Sequence, residues 1–175
     1  MVVVEDDVLS DEELNVVSEI MDSSFPWCSN DYTDFVGDGN PQFTHMLYHN
    51  IQFHQSEWLR VVFPLLRKIK PFAMLKIKAN LNLASSKESC FHIDYQEVED
   101  RVYPEMKNLV HTSIFYLNTG LGGTEFMDEN DTFVETKRNR LVTFPSGIKH
   151  RSVKHQEEGA RRFIVNLNYI PFMSD

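Results

Sequence analysis

Hydrophobic and polar positions change their rhythm once along this chain, near Phe72. Before that point apolar residues recur at helical spacing. Leu14, Val17, Ile20 and Met21 form one stripe, and Ser10-Asp11-Glu12-Glu13 precedes it. Ser10 reads as an N-cap and Glu13 as the acid that reaches back to the free backbone donors, so a helix to about Ser23 is expected. A second stripe, Trp58, Leu59, Val62, Phe63 and Leu66, begins at Gln55 or Ser56; Pro64 is expected to kink or split it, and Pro71 to end it. Between the stripes, residues 25–41 contain Pro26, Gly37, Gly39 and Asn40-Pro41 and read as a loop. Phe25, Trp27, Tyr32 and Phe35 make that loop aromatic, which suits either a packed Ω-loop or a lid over a site. Residues 42–53 read as irregular or extended.

Beyond Phe72 the period becomes two. Residues 74–83 alternate apolar and polar side chains, as a half-buried strand does. Residues 90–93, 111–118, 124–127, 132–135, 141–144, 151–154 and 162–169 read as further short strands, and Val2 to Val4 as an edge strand. Gly120, Gly122 and Gly123 form a turn, and residues 95–108 a long acidic connection. Two helices ahead of seven or eight short strands predict a mainly β fold, a sandwich or jelly roll with helices packed on one sheet. With 175 residues the chain is expected to form a single domain, helical over 1–72 and β over about 73–171.

Composition narrows the partners. A net charge of −9 does not suit non-specific binding to nucleic-acid phosphate. Two local basic clusters, Arg67-Lys68-Lys70 and Lys137-Arg138-Arg140, read as solvated helix or hairpin residues. Two cysteines, Cys28 and Cys90, do not make a disulfide framework. Met1-Val2-Val3-Val4 runs straight into Glu5, Asp6 and Asp7, unlike a signal peptide, and no stretch approaches about 20 apolar residues, so the expected location is the cytoplasm.

The chemistry sits in the β half. His92 and Asp94 are two residues apart, and on an extended chain such residues face the same side. A nitrogen and a carboxylate could then meet one metal. His150 supplies a third ligand, because the strand-and-turn sequence before it would deliver the imidazole to the mouth of the sheet. Two histidines and a carboxylate suit non-haem Fe(II) and leave open positions on the metal. His45 and His49 have helical ligand spacing, but their segment does not read as a helix; His54 shares that segment, His111 reads as a core or cross-strand residue and His155 as exposed. Arg161 and Arg162 compete as the cation that would grip a carboxylate, since neighbours on a strand face opposite ways. Arg161 is favoured, because its face continues through the apolar Phe163, Val165 and Leu167, which suit an interior.

His92-x-Asp94, Tyr116-Leu117-Asn118, Gly122-Gly123-Thr124-Glu125-Phe126, Phe144, His150 and Gly159-x-Arg161, in that order, resemble the 2-oxoglutarate- and Fe(II)-dependent oxygenases, most closely the prolyl-4-hydroxylase-like group. The resemblance covers about residues 74–170. It implies a double-stranded β-helix, Fe(II) held by His92, Asp94 and His150, and 2-oxoglutarate with its distal carboxylate on Arg161. It makes Tyr116 a candidate second anchor, and gives Asn82, with Asn80 on the same strand face, a candidate cofactor contact. O2 is the implied oxidant and ascorbate a candidate reductant. The implied activity is hydroxylation of a C–H bond coupled to oxidative decarboxylation of 2-oxoglutarate, on a peptidyl proline, an amino acid or another small molecule. The acidic connection over 95–108 favours a neutral or cationic substrate. The competing readings are a zinc-dependent or cupin-like jelly roll with non-oxygenase chemistry, and a non-catalytic binding module.

Overall fold

Ser10 begins the first helix as its sequence predicts: its hydroxyl accepts from the Glu13 backbone N–H at 3.3 Å, and its own N–H donates to the Glu13 carboxylate at 3.2 Å. This computed structural model describes residues 1–33, 38–49, 52–53, 56–84, 89–94, 109–153 and 159–172. The expectations for Phe35, Gly37, His54, His155 and the acidic 95–108 connection lie outside the described residues.

Among the described residues the chain order is β1 (Val3–Glu5), α1 (Asp11–Ser18), β2 (Cys28–Asn30), β3 (Gln42–His49), β4 (Gln52–Phe53), α2 (Phe63–Ile69), β5 (Ala73–Leu83), β6 (His111–Tyr116), β7 (Gly123–Phe126), β8 (Phe133–Glu135), β9 (Arg140–Pro145), β10 (His150–Val153) and β11 (Arg161–Ile170). Helix α1 is shorter than its apolar stripe, because the chain tightens into a 3-10 turn over Glu19–Met21. The second stripe is split at its proline. A 3-10 segment, Ser56–Val62, gives way to α2, and Pro64 falls in the first turn of α2, where its missing N–H has no intrahelical acceptor to satisfy. Lys70 closes α2 in a left-handed conformation immediately before Pro71.

Two antiparallel sheets face each other. The larger has the order β1-β9-β6-β11-β5-β3-β2, with β4 also paired to β3, and the smaller is β10-β7-β8. This is the jelly-roll arrangement of a double-stranded β-helix, with helices on the outer face of the large sheet. The segment over 1–72, read as helical, also supplies β1 to β4. Strand β3 escapes a periodicity argument because a register shift between Met46 and Tyr48 breaks its alternation.

The large sheet separates two apolar clusters. On its outer face Ile77, Ala79, Phe115, Leu117, Val165 and Leu167 pack with Leu14, Val17, Ile20, Val61, Val62 and Leu65 of the helical layer. Between the sheets lies a smaller cluster of Ile114, Tyr116, Phe126, Val134, Val142, Phe144 and Ile164. The rest of that inter-sheet space is a cavity.

Both basic clusters are tied to the acidic N-terminal segment. Lys68 meets Glu5 at 2.9 Å, and Asp6 receives Lys137 at 2.8 Å and Arg140 at 2.6 Å. Hydrogen bonds from Arg140 and then Lys137 hold the Asp6 carboxyl well below the usual carboxylate range. Among the described residues no helix is long and apolar enough to cross a membrane.

Candidate metal centre

The turn after β9 brings His150 back across the mouth of the inter-sheet space, where it opens β10. The segment carrying His92 docks on it by one reciprocal bridge: the His92 N–H donates to the His150 carbonyl at 2.9 Å, and the His150 N–H to the His92 carbonyl at 3.0 Å. The bridge fixes both imidazoles side by side, with ring centres 4.7 Å apart. Residues 90–93 were expected to form a strand, but this bridge is all the ladder they make. Asp94, two residues on, returns to the same side. One ligand atom from each of His92, Asp94 and His150 lies within 4.8 Å of the others, and Asp94 Oδ1 is 3.7 Å from the Nε2 of both histidines.

The hydrogen bonds set the ring chemistry. His92 Nδ1 lies 3.2 Å from the Cys90 carbonyl, and His150 Nδ1 lies 3.2 Å from the Ile148 carbonyl. A carbonyl only accepts, so each Nδ1 carries the proton and each Nε2 keeps its lone pair for a metal. Burial favours the neutral imidazole of His150 and lowers its pKa. Burial alone would raise the Asp94 pKa; the positive charge that His150, His92 and Lys76 can carry beside it lowers it below the ordinary carboxylate value instead. Two neutral nitrogens and one carboxylate oxygen, converging from one side, fit the donor set of Fe(II) with open positions.

A further layer fixes these ligands. Asn168, fully buried, donates to Thr112 Oγ1 at 2.9 Å and reaches Asp94 Oδ2 at 3.5 Å, and Thr112 in turn meets Ser146 at 2.8 Å. On the other side the Arg151 guanidinium covers the Phe91 ring at 4.7 Å and pairs with Glu125 at 2.7 Å, clamping the His92 segment to β10.

The ligands open on a cavity of about 270 Å³ between the sheets. Its wall on the large sheet is one face of β5, carrying Lys76, Lys78, Asn80 and Asn82, and the paired face of β11, carrying Arg162, Ile164 and Asn166. Arg162 corrects the expectation for Arg161. Arg161 is exposed, whereas Arg162 is only 3% exposed and lines the cavity. The apolar face that recommended Arg161 is indeed buried, but under the helices; the face turned to the inter-sheet space is polar because it lines a site. The Arg162 guanidinium donates to the carbonyls of Gly123 and Val153 and to Ser152 Oγ. These bonds leave some of its five donors for a ligand, and among the described residues no carboxylate neutralises it. Gly123 is required here by close approach, since a Cβ would lie 2.2 Å from the Val134 carbonyl oxygen.

Tyr116 is fully buried in the inter-sheet cluster, and its hydroxyl meets Thr124 Oγ1 at 2.6 Å. Thr124 rather than Tyr116 lines the cavity, so the tyrosine stands behind the wall. Asn80 and Asn82 do line it, both buried and both with Oδ1 unpaired. His45 is remote from this group: its Nδ1 lies 2.8 Å from the Pro26 carbonyl and its ring packs on Phe25. Lys76, Lys78, Asn166, Ser152 and Asn168 escaped sequence reasoning. Their signal was present, since Lys76, Lys78, Asn80 and Asn82 share one face of a long strand, but a polar face reads first as a solvated one.

No protein-family model matches this chain, and no curated protein matches it in sequence. Solved structures match it in fold. A prolyl hydroxylase from Trichoplax adhaerens, in complex with a hypoxia inducible factor oxygen degradation domain peptide fragment, has a TM-score of 0.65 at 15% identity, covering 97% of this chain and 83% of that one. An oxidoreductase of the 2OG-Fe(II) oxygenase family from Burkholderia pseudomallei has a TM-score of 0.66 at 11% identity, covering 97% and 84%. The epimerase SnoN, in complex with Fe3+, alpha ketoglutarate and nogalamycin RO, has a TM-score of 0.65 at 10% identity, covering 97% and 78%. The chain therefore has the fold of the 2-oxoglutarate/Fe(II) oxygenases, prolyl hydroxylases among them.

Proposed function

We propose that this chain is an Fe(II)- and 2-oxoglutarate-dependent oxygenase that hydroxylates a C–H bond of a small-molecule or peptide substrate. One observation carries the reading: Arg162, a buried guanidinium with no carboxylate partner among the described residues, lines the same cavity as His92, Asp94 and His150. A buried cation without a counter-charge is costly, and a dicarboxylate ligand removes that cost.

His92 Nε2, Asp94 and His150 Nε2 would hold the iron, and Arg162 the distal carboxylate of 2-oxoglutarate. His150 and Ser152 are two residues apart on β10, about 7 Å along the strand. Ser152 is bonded to Arg162, so metal ligands and guanidinium stand at a separation that a five-carbon dicarboxylate bridges. Bound there, iron and 2-oxoglutarate supply the oxidant by coupling decarboxylation of the oxo acid to reduction of O2. The protein's own residues do the rest. Asn168 and Thr112 hold Asp94, and the main-chain carbonyls of Cys90 and Ile148 keep both imidazoles in the binding tautomer. A hydrolytic zinc site does not by itself call for the buried arginine.

Anaerobic addition of Fe(II) and 2-oxoglutarate is expected to give a visible metal-to-ligand charge-transfer band that Asp94→Ala abolishes. No band in the native chain, or an unchanged band in the variant, contradicts the reading.

A further inference from the structure

We propose that the substrate is a free carboxylic acid, anchored through its carboxylate by Lys78 with Lys76 beside it; this rests on the oxygenase reading above. Residues 76, 78, 80 and 82 share one face of β5, and the register on β11 sets Arg162 opposite Asn82 and Asn166 opposite Lys78. Lys78 therefore lies four residues along the wall from the level of Arg162, about 13 Å away. Asn168, paired with Lys76, reaches Asp94, and Lys76 itself meets the Asp94 carbonyl, so both lysines stand toward the metal end of the wall and away from the Arg162 end.

Among the described residues neither lysine has an ion-pair partner, and Asp94 is the nearby negative charge that both feel. Among the described residues Lys78 lines the cavity with no ion pair and no side-chain hydrogen bond, while Lys76 donates only to the main-chain carbonyl of Asp94, at 3.4 Å. Burial, and then the like charge of Lys76, lower the Lys78 pKa, and the Asp94 carboxylate offsets them only in part. Asp94 is the one acid among the cavity's described lining residues.

Charge counting gives the same answer. With Fe(II) and dianionic 2-oxoglutarate in place, the metal, Asp94, the oxo acid and Arg162 sum to zero. The two lysines remain as surplus positive charge inside a chain of net charge −9. A cleft of one sign within low-dielectric walls concentrates ligands of the other sign. Beside Lys78, Asn80 and Asn166 each present an unpaired carboxamide oxygen, which suits an amino or hydroxyl group next to the carboxylate. An internal peptide residue brings no free α-carboxylate with an amino or hydroxyl group beside it. The substrate class is thus a free amino or hydroxy acid; the zwitterionic amino acid meets the neutral charge expected from the acidic 95–108 segment, and the hydroxy acid does not.

The test is anaerobic calorimetry on the Fe(II)- and 2-oxoglutarate-loaded chain. The probes are the proteinogenic L-amino acids, their 2-hydroxy analogues and the C-terminal amide of each. Acids are expected to bind about tenfold or more tightly than their amides, the loss expected when a charge-assisted hydrogen bond is removed. Lys78→Met is expected to bring that ratio close to one and Lys78→Arg to keep it. No acid binding, amides binding as tightly as acids, or a preference that survives Lys78→Met overturns the proposal. The acid-to-amide ratio of the native chain decides the matter even if a variant fails to fold. The charge-transfer band is recorded before any probe is added: its absence counts against the oxygenase reading, whereas a normal band with no acid preference counts against the carboxylate subsite alone.

Discussion

On β11 the residues turned toward the helices are Phe163, Val165, Leu167 and Tyr169, while those turned toward the small sheet are Arg162, Ile164, Asn166 and Asn168. Strand β5 repeats the contrast, with Ile77 and Ala79 outside and Lys76, Lys78, Asn80 and Asn82 inside. The outer face buries apolar area and leaves few polar atoms to satisfy. The inner face gives up that burial, and Asn80, Asn82, Asn166 and Asn168 each keep an unpaired Oδ1. Buried polar groups without partners are rare in native proteins and call for a reason. The proposed ligands supply that reason, so on this reading one face carries the stability and the other the chemistry.

Substitutions on the two faces should therefore separate stability from site properties. The largest expected change in folding is on the outer face. Phe115→Ala removes a fully buried ring and should cost about 3–5 kcal/mol in chemical denaturation. Metal affinity of the fraction that remains folded should be unaltered. On the inner face Asn168→Ala should lower metal affinity about tenfold to a hundredfold, as loss of a residue orienting a metal ligand does, with a smaller loss of stability than Phe115→Ala. A metal titration beside a denaturation curve checks both at once.

Smaller effects belong to the helical layer and its N-terminal ties. Ser10→Ala removes the α1 cap and should cost about 1 kcal/mol without touching the site. Asp6→Asn should lower the melting temperature slightly at neutral pH. The folded Asp6 pKa is depressed below its ordinary value near 3.9, so its contribution is present above about pH 4 and fades as pH falls toward the lower folded value. Melting curves of native chain and variant should converge on acidification.

Sequence pattern carried the outer face well. The capping box, both apolar stripes, the β half and the mainly β jelly roll with helices on one sheet follow from local spacing, because one face of each element meets the core. It carried the inner face poorly. The motif His92-x-Asp94 with His150 is local enough to read, but its closure depends on a single cross-chain bridge. Arg162 was passed over because apolar alternation locates the larger core, here under the helices, and not the cavity on the opposite side. Lys76 and Lys78 were hidden for the same reason: a polar strand face facing a cavity has the same pattern as one facing water.

The contrast between neighbouring arginines gives the most direct test of this account. Titration of 2-oxoglutarate into the anaerobic Fe(II) complex, read from the charge-transfer band, should show Arg162→Met weakening the co-substrate by at least about 30-fold, the loss expected for one partner of a buried charge pair. Arg161→Met should leave the affinity unchanged, since that side chain is exposed. A loss confined to Arg161→Met, or native affinity in Arg162→Met, would contradict the assignment of the inner face as the site.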